Sequence, residues 1–488
     1  MSAPAVADLP STVTVLIIGA GPGGLGAGIT LARAGIADFL IVEKAPGVGG
    51  TWWHNRYPGA ECDVETHLYS FSFEPKLDWS RPYAGQREIK AYLEHVAEKY
   101  DMLPHCHFHT EVAAAYWDEA GGAWQVTMVD GRRVNARFLI SAIGMFNEIV
   151  IPDIAGLGDF AGEMFHTARW PDGFDAAGKR IALIGSAASA VQTAPEIAPL
   201  VERLDLYQRT PQWVMTKRDT PYTQTELDDF RAHPEVVEAH RRQLWIQLET
   251  AVQFLDLNIV AEMEADARRN LEAVNNPDLR RRLTPDWGMG CRRPLISNKY
   301  YPIFNRPNVR LIDSGIERVT AHGVLTRDGE FRAADAIILA TGFQTTRFLA
   351  SLDVTGRDGV HIRDAWSEGA VAYQGITTPG FPNLFMLYGP NTNNNSLITM
   401  LELQAGYAVG WIRRMLDLDM KSLEVTARSN ELYNTQLQVD IDRVTVWRSD
   451  CGGYYRAPSG RVVTQFPYTM TRYAEVLANA DDESYLTA

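Results

Sequence analysis

Short apolar runs alternate along most of this chain with stretches of helical period, the pattern of buried parallel strands joined by helices. Residues 13–18 are β-branched or aliphatic throughout and meet Gly19-Ala20-Gly21-Pro22-Gly23-Gly24. A helical period follows, then a second apolar strand at 39–42 and an acid, Glu43. The stretch 47–73 is rich in glycine and aromatic residues and too irregular for a connector; such loops are usually functional. Residues 86–100 predict an amphipathic helix. Residues 108–144 predict a meander with turns at Gly121-Gly122 and Asp130-Gly131, ending in a buried strand at 138–143. After a proline-marked connector at 147–171 the opening order returns: strand 180–184, turn Gly185-Ser186-Ala187-Ala188-Ser189-Ala190, helix 191–200, strand 204–208. Charged-faced helices at 224–282 and strands at 309–312, 316–325 and 336–340 complete the pattern.

Two strand–turn–helix–strand units predict an α/β fold with two dinucleotide-binding (Rossmann-like) domains and a helical insertion. The expected division is 1–146 for a first domain, 147–340 for a second that includes the insertion at about 220–285, and 341–488 returning to the first. In the first unit Gly19 permits the turn, Gly21 lets the backbone approach a pyrophosphate, and Gly24 lets helix and strand pack closely. Pro22 and Gly23 open a helix whose unpaired N–H groups would face the phosphates. Glu43 stands where a carboxylate takes a ribose hydroxyl, with Lys44 beside it.

As many positions separate Gly185 from Arg209 as separate Gly19 from Glu43, so the second unit has a cation where the first has an acid. A carboxylate bonds a ribose diol and repels a 2′-phosphate, whereas a guanidinium binds that phosphate. The first site therefore suits the ADP part of FAD and the second NADPH rather than NADH, with Gly185, Ser186, Ala188, Ser189 and Gln192 as contacts. Ala187 replaces the middle glycine, and its methyl group would hold a pyrophosphate slightly further away.

Composition narrows the classes. At 488 residues, 46% hydrophobic and 22% charged, the chain reads as a soluble globular protein of two or three domains. A net charge of -14 argues against a nucleic-acid partner. No apolar run approaches the roughly 20 residues that span a bilayer, and the N-terminus lacks the basic start of a secretory signal. Cys62, Cys106, Cys291 and Cys451 are far apart, which indicates no disulfide framework, no metal site and a cytoplasmic setting.

Two dinucleotide sites imply hydride transfer from NADPH to a flavin. The reduced flavin could pass electrons to a disulfide, a quinone or dioxygen; disulfide reduction would need a C-x-x-C or C-x4-C pair, which is missing, and dioxygen leads as the acceptor. Between the two units, Phe160 to Pro171, with Gly162, His166 and Trp170, resembles the F-x-G-x-x-x-H-x-x-x-W-P fingerprint of type I Baeyer-Villiger monooxygenases. Gly49-Gly50, Trp52, Tyr57-Pro58-Gly59 and Asp63 resemble that family's G-G-x-W-x4-Y-P-G-x3-D signature. Cys291-Arg292-Arg293-Pro294 is similar to its K/R-R-P stretch, and 447–451 with Gly460-Arg461 to its C-terminal part.

The resemblance implies that FAD reduced by NADPH activates O2 as an anionic peroxide, which attacks a small-molecule ketone to give an ester or lactone. Arg293 matches the family's catalytic arginine and Asp63 the carboxylate that holds it. Arg292 would join Arg209 and Thr210 on the 2′-phosphate, while Gly50, Thr51, Trp52, Tyr69, Val112 and Met400 become candidate flavin contacts. His166, in a connector, reads as structural. Two other readings stay open: oxidation of sulfides or amines, and a flavin-binding redox module without turnover, to which Ala187 points.

Overall fold

The computed structural model describes residues 8–251, 253–349, 351–448, 455–479 and 482–488. Residues 449–451, the end of the C-terminal stretch singled out above, lie outside the described residues. Two mainly parallel sheets organise the chain. In the first, Thr12–Ile18 runs parallel between Phe39–Val42 and Arg133–Ser141, and Cys106–His107 extends the sheet beyond Phe39–Val42. Every residue of Phe39–Val42 is buried, as a strand covered on both faces must be, which is why its sequence is continuously apolar rather than alternating.

Besides Thr12–Ile18, the strand Arg133–Ser141 serves two further partners. Its first half pairs antiparallel with Ala123–Met128, which pairs with Val112–Asp118, and its second half pairs parallel with Leu384–Met386. Asp353–Thr355 adds the outer edge. This sheet therefore draws on strands from both ends of the chain. The second sheet has five strands, all parallel, in the order Val309–Ile312, Arg203–Tyr207, Arg180–Ile184, Ala336–Leu339, Glu163–His166. The architecture is α/β with two dinucleotide-binding domains, and the helices Gln224–Ala232, Pro234–Ala251, Leu257–Leu271 and Pro277–Leu283 form the insertion.

Three expectations change. The helix expected at 191–200 spans Ala188–Ile197, because the alanine-rich turn feeds straight into it. The strand expected at 316–325 is a hairpin of Ile316–Thr320 and Gly323–Thr326. Gly323 has φ +158, and a Cβ there would lie 2.2 Å from the Arg332 carbonyl oxygen, so the glycine marks a close backbone approach. Cys62 and Cys106 are free thiols, but Cys291 is disulfide-bonded, a pairing that separation along the chain could not disclose.

The sheets are joined by two antiparallel segments. Val150 N–H donates to Gly342 at 2.8 Å and Gln344 N–H to Glu148 at 2.9 Å. His166 ends the edge strand next to this crossing, with its ring edge-on to Phe343 at 5.7 Å. Its Nδ1 accepts the Ala168 N–H at 3.1 Å, capping the turn that leads to Trp170. Burial, only partly offset by the Gly342 backbone, lowers its pKa to about 4, so the ring is neutral at pH 7.

Candidate active site

The first glycine turn forms the floor of an open cleft of about 920 Å³, its mouth included. Gly19, Gly21, Pro22, Gly23, Glu43, Lys44, Gly50, Thr51, Val112 and Leu397 line it, together with His54, Thr110, Asn147, Tyr388 and Leu401, which no sequence motif marks. The helix Pro22–Arg33 starts there with Gly21 as its N-cap, no side-chain cap and no acid in its first turn. Its first N–H groups thus have no helical acceptor, which suits an anion. Glu43, 7% exposed, accepts the Ala20 N–H at 2.8 Å and the Ala45 N–H at 2.7 Å, so its carboxylate is fixed at the rim. Lys44 Nζ donates to Asn147 Oδ1 at 2.6 Å.

Five predicted contacts stand behind this lining. A Cβ on Gly24 would lie 1.8 Å from the Gly19 oxygen, so Gly24 sets the helix against its strand. Trp52 Nε1 donates to the Tyr69 hydroxyl at 3.2 Å, and both rings are buried. Burial holds the Tyr69 hydroxyl far above its ordinary pKa. Met400 is fully buried in the helix Leu397–Asp417, whose Leu397 and Leu401 reach the cleft instead. Asp63 is the fifth.

Asp63 lies at the seam between the domains. Its Oδ2 is 2.7 Å from Arg293 Nη2, and both side chains are a little over one-third exposed. Arg293 precedes a short strand, Leu295–Ile296, paired in parallel with Val214–Met215. The loop is pinned to the second unit beside this point. The Tyr57 hydroxyl donates to Gln192 Oε1 at 2.8 Å, and Gln192 Nε2 donates to the Glu61 carbonyl at 3.0 Å. Gly59, at φ +81, faces the Gln192 carbonyl, where a Cβ would come within 2.5 Å. Gln192 therefore spends its amide on the domain contact.

In the second unit the helix Ala188–Ile197 has Ala187 as N-cap and again no side-chain cap or acid in its first turn. Ala187 has φ -91 and ψ -163, close to the -78 and -172 of Gly21, so the position does not require glycine. Ser186 Oγ donates to the Thr210 carbonyl at 2.9 Å, and Ser189 Oγ lies 3.3 Å from Thr167 Oγ1 of the fingerprint segment. The backbone register corrects one equivalence. Gly19 donates to Val42 and Glu43 to His107, while Gly185 donates to Tyr207 and Gln208 to Ile312. Gln208 is thus the counterpart of Glu43, and exposed Arg209 comes one residue later, at the place of Lys44. Arg292 stacks over Trp287 at 5.3 Å, and its pKa is lowered by burial and then by the charge of Arg209. Two guanidinium groups that repel each other in this way gain from a shared anion.

Comparison with known proteins decides what this geometry serves. A profile described as pyridine nucleotide-disulphide oxidoreductase matches residues 16–258. A Baeyer-Villiger monooxygenase of Pseudomonas aeruginosa is 41% identical over 96% of this chain and 90% of that protein. The chain belongs to the Baeyer-Villiger monooxygenases. A second member, from Streptomyces coelicolor, is 40% identical over 97% of this chain and 92% of its own length. Among solved structures, cyclohexanone monooxygenase from Rhodococcus sp. Phi1 bound to NADP+ has a TM-score of 0.89 at 30% identity, covering 98% of this chain and 99% of that one. Among the described residues no helix is long and apolar enough to cross a membrane.

Proposed function

We propose that this enzyme uses NADPH, FAD and O2 to insert one oxygen atom beside the carbonyl of a small-molecule ketone, giving an ester or lactone. The Asp63–Arg293 contact carries the reading, because it joins the two signature segments across the domain seam. FAD fits the first cleft, whose uncapped helix start suits a pyrophosphate and whose buried Glu43 is fixed beside it. NADPH fits the second unit, where Arg209 and Arg292 would hold the 2′-phosphate. When bound, the flavin takes hydride from NADPH and activates O2.

The chain's own residues supply charge and order. Arg293 places a permanent positive charge where negative charge develops on the ketone oxygen as the carbonyl is attacked. Asp63 aims that guanidinium through its 2.7 Å contact rather than moving a proton. The buried Trp52–Tyr69 pair backs the loop, and Leu397 and Leu401 keep part of the cleft dry. The test is turnover of the FAD-loaded protein with NADPH, 18O2 and a panel of cyclic, linear and aromatic ketones beside a sulfide. An ester or lactone heavier by one labelled oxygen is expected. Sulfoxide as the sole product, or NADPH oxidation with no oxygenated product, would overturn the assignment.

A further inference from the structure

The loop that carries Asp63 is tied to the second domain at a deeper point as well. Lys217, whose side chain is 4% exposed, places Nζ 2.7 Å from Glu61 Oε1 and 3.2 Å from Asp219 Oδ2. Its ammonium also stands 4.9 Å from the centre of the Tyr83 ring. Asp219 is shared with Arg81 at 3.3 Å. Lys217 does not line the flavin cleft.

Lys217 and Arg293 stand on one ribbon. Val214 and Met215 pair in parallel with Leu295 and Ile296, and the Ser297 N–H donates to the Met215 carbonyl. The Asn298 side chain then bonds both the N–H and the carbonyl of Lys217. The ribbon thus offers two cations to two carboxylates, Glu61 and Asp63, that lie two positions apart on one loop. The pairs differ in burial. Water reaches the Arg293 and Asp63 side chains, 37% and 36% exposed, and screens their pair, whereas the Lys217 ammonium, on a side chain 4% exposed, depends on Glu61 and Asp219 together for its charge balance.

We propose that Lys217 is a positioning residue for the Arg293 charge. Lys217, buried beside Glu61 and Asp219, locks ribbon and loop in register, and the more exposed Arg293–Asp63 pair is the member left to rearrange during the cycle. The proposal rests on the role given to Arg293 above. A guanidinium misplaced by an ångström loses most of its effect on a developing charge, so removing the lock lowers turnover without touching a nucleotide.

The test compares wild type with Lys217→Met, Lys217→Arg and Glu61→Gln, each loaded with FAD. Four quantities are read: melting temperature, anaerobic flavin reduction by NADPH, ketone KM, and oxygenated product formed per NADPH. For Lys217→Met, flavin reduction and KM stay within about threefold of wild type, while kcat for product falls about 10- to 100-fold and NADPH is diverted to hydrogen peroxide. Lys217→Arg, which keeps the charge, restores most of the product. Should Lys217→Met fail to fold, Glu61→Gln keeps Lys217 beside Asp219 and is expected to lower product per NADPH about threefold. A folded Lys217→Met enzyme with wild-type product per NADPH, or an unaffected Glu61→Gln enzyme, would overturn the proposal. Wild type that forms no product would instead overturn the reading of Arg293, and this proposal with it.

Discussion

The two dinucleotide turns share one hydrogen-bond scaffold but differ in how much room they leave. In each, the first glycine donates to the end of the neighbouring strand, Gly19 to Val42 at 2.8 Å and Gly185 to Tyr207 at 3.0 Å. In each, a side chain there is barred by a carbonyl: a Cβ would meet the Ala142 oxygen at 2.7 Å in one and the Ala340 oxygen at 2.2 Å in the other. At the third position they part. Gly24 has no space for a Cβ, whereas the second turn has Ala190, fully buried and carrying one. The second helix must stand further from its turn. A tight turn with a fixed acid suits a cofactor held through many cycles, and a looser turn flanked by cations suits one that enters and leaves.

That contrast can be broken in graded ways. Gly24→Ala should have the largest effect, about 4 kcal/mol or more of stability with loss of bound flavin, since backbone must move to admit the methyl; calorimetry and the yellow absorbance check it. Where the units are joined, acid should act through His166. Its folded pKa of about 4 lies below the unfolded 6.5, so the unfolded chain binds more protons between those values. Stability should therefore fall as pH drops from 6.5 to 4, by up to about 3 kcal/mol from this residue, and His166→Asn should remove that part of the slope in denaturant titrations. Arg209→Gln should raise the KM for NADPH about 10- to 100-fold and leave that for NADH nearly unchanged. Ala187→Gly should change either KM by less than about threefold, because the backbone there is already unstrained.

Local chemistry was legible in the sequence, and long-range placement was not. The glycine turns, Glu43 and the buried strands follow from steric rules that act within a few residues. Equal spacing from the first glycine matches Arg209 to Glu43, yet the backbone makes Gln208 the counterpart of Glu43, because the connection in the second unit is one residue shorter. Gln192 has the position of a nucleotide contact, but its amide is taken by Tyr57 and Glu61 from the other domain. Leu397, Leu401 and Tyr388 reach the first cleft from the far end of the chain, and no periodicity marks that. The Asp63–Arg293 contact was expected only through family resemblance; its side chains are more than two hundred positions apart and meet through the seam.

We assign the charge of Arg293 to oxygen transfer and not to flavin reduction. That role is tested most directly by reducing the FAD-loaded Arg293→Ala protein with NADPH in the absence of air, then admitting oxygen and a ketone and counting product per NADPH. Flavin reduction should stay within about tenfold of wild type and product should fall by about a thousandfold, as when a fixed charge facing a developing oxyanion is removed. Wild-type product yield from this variant would contradict it.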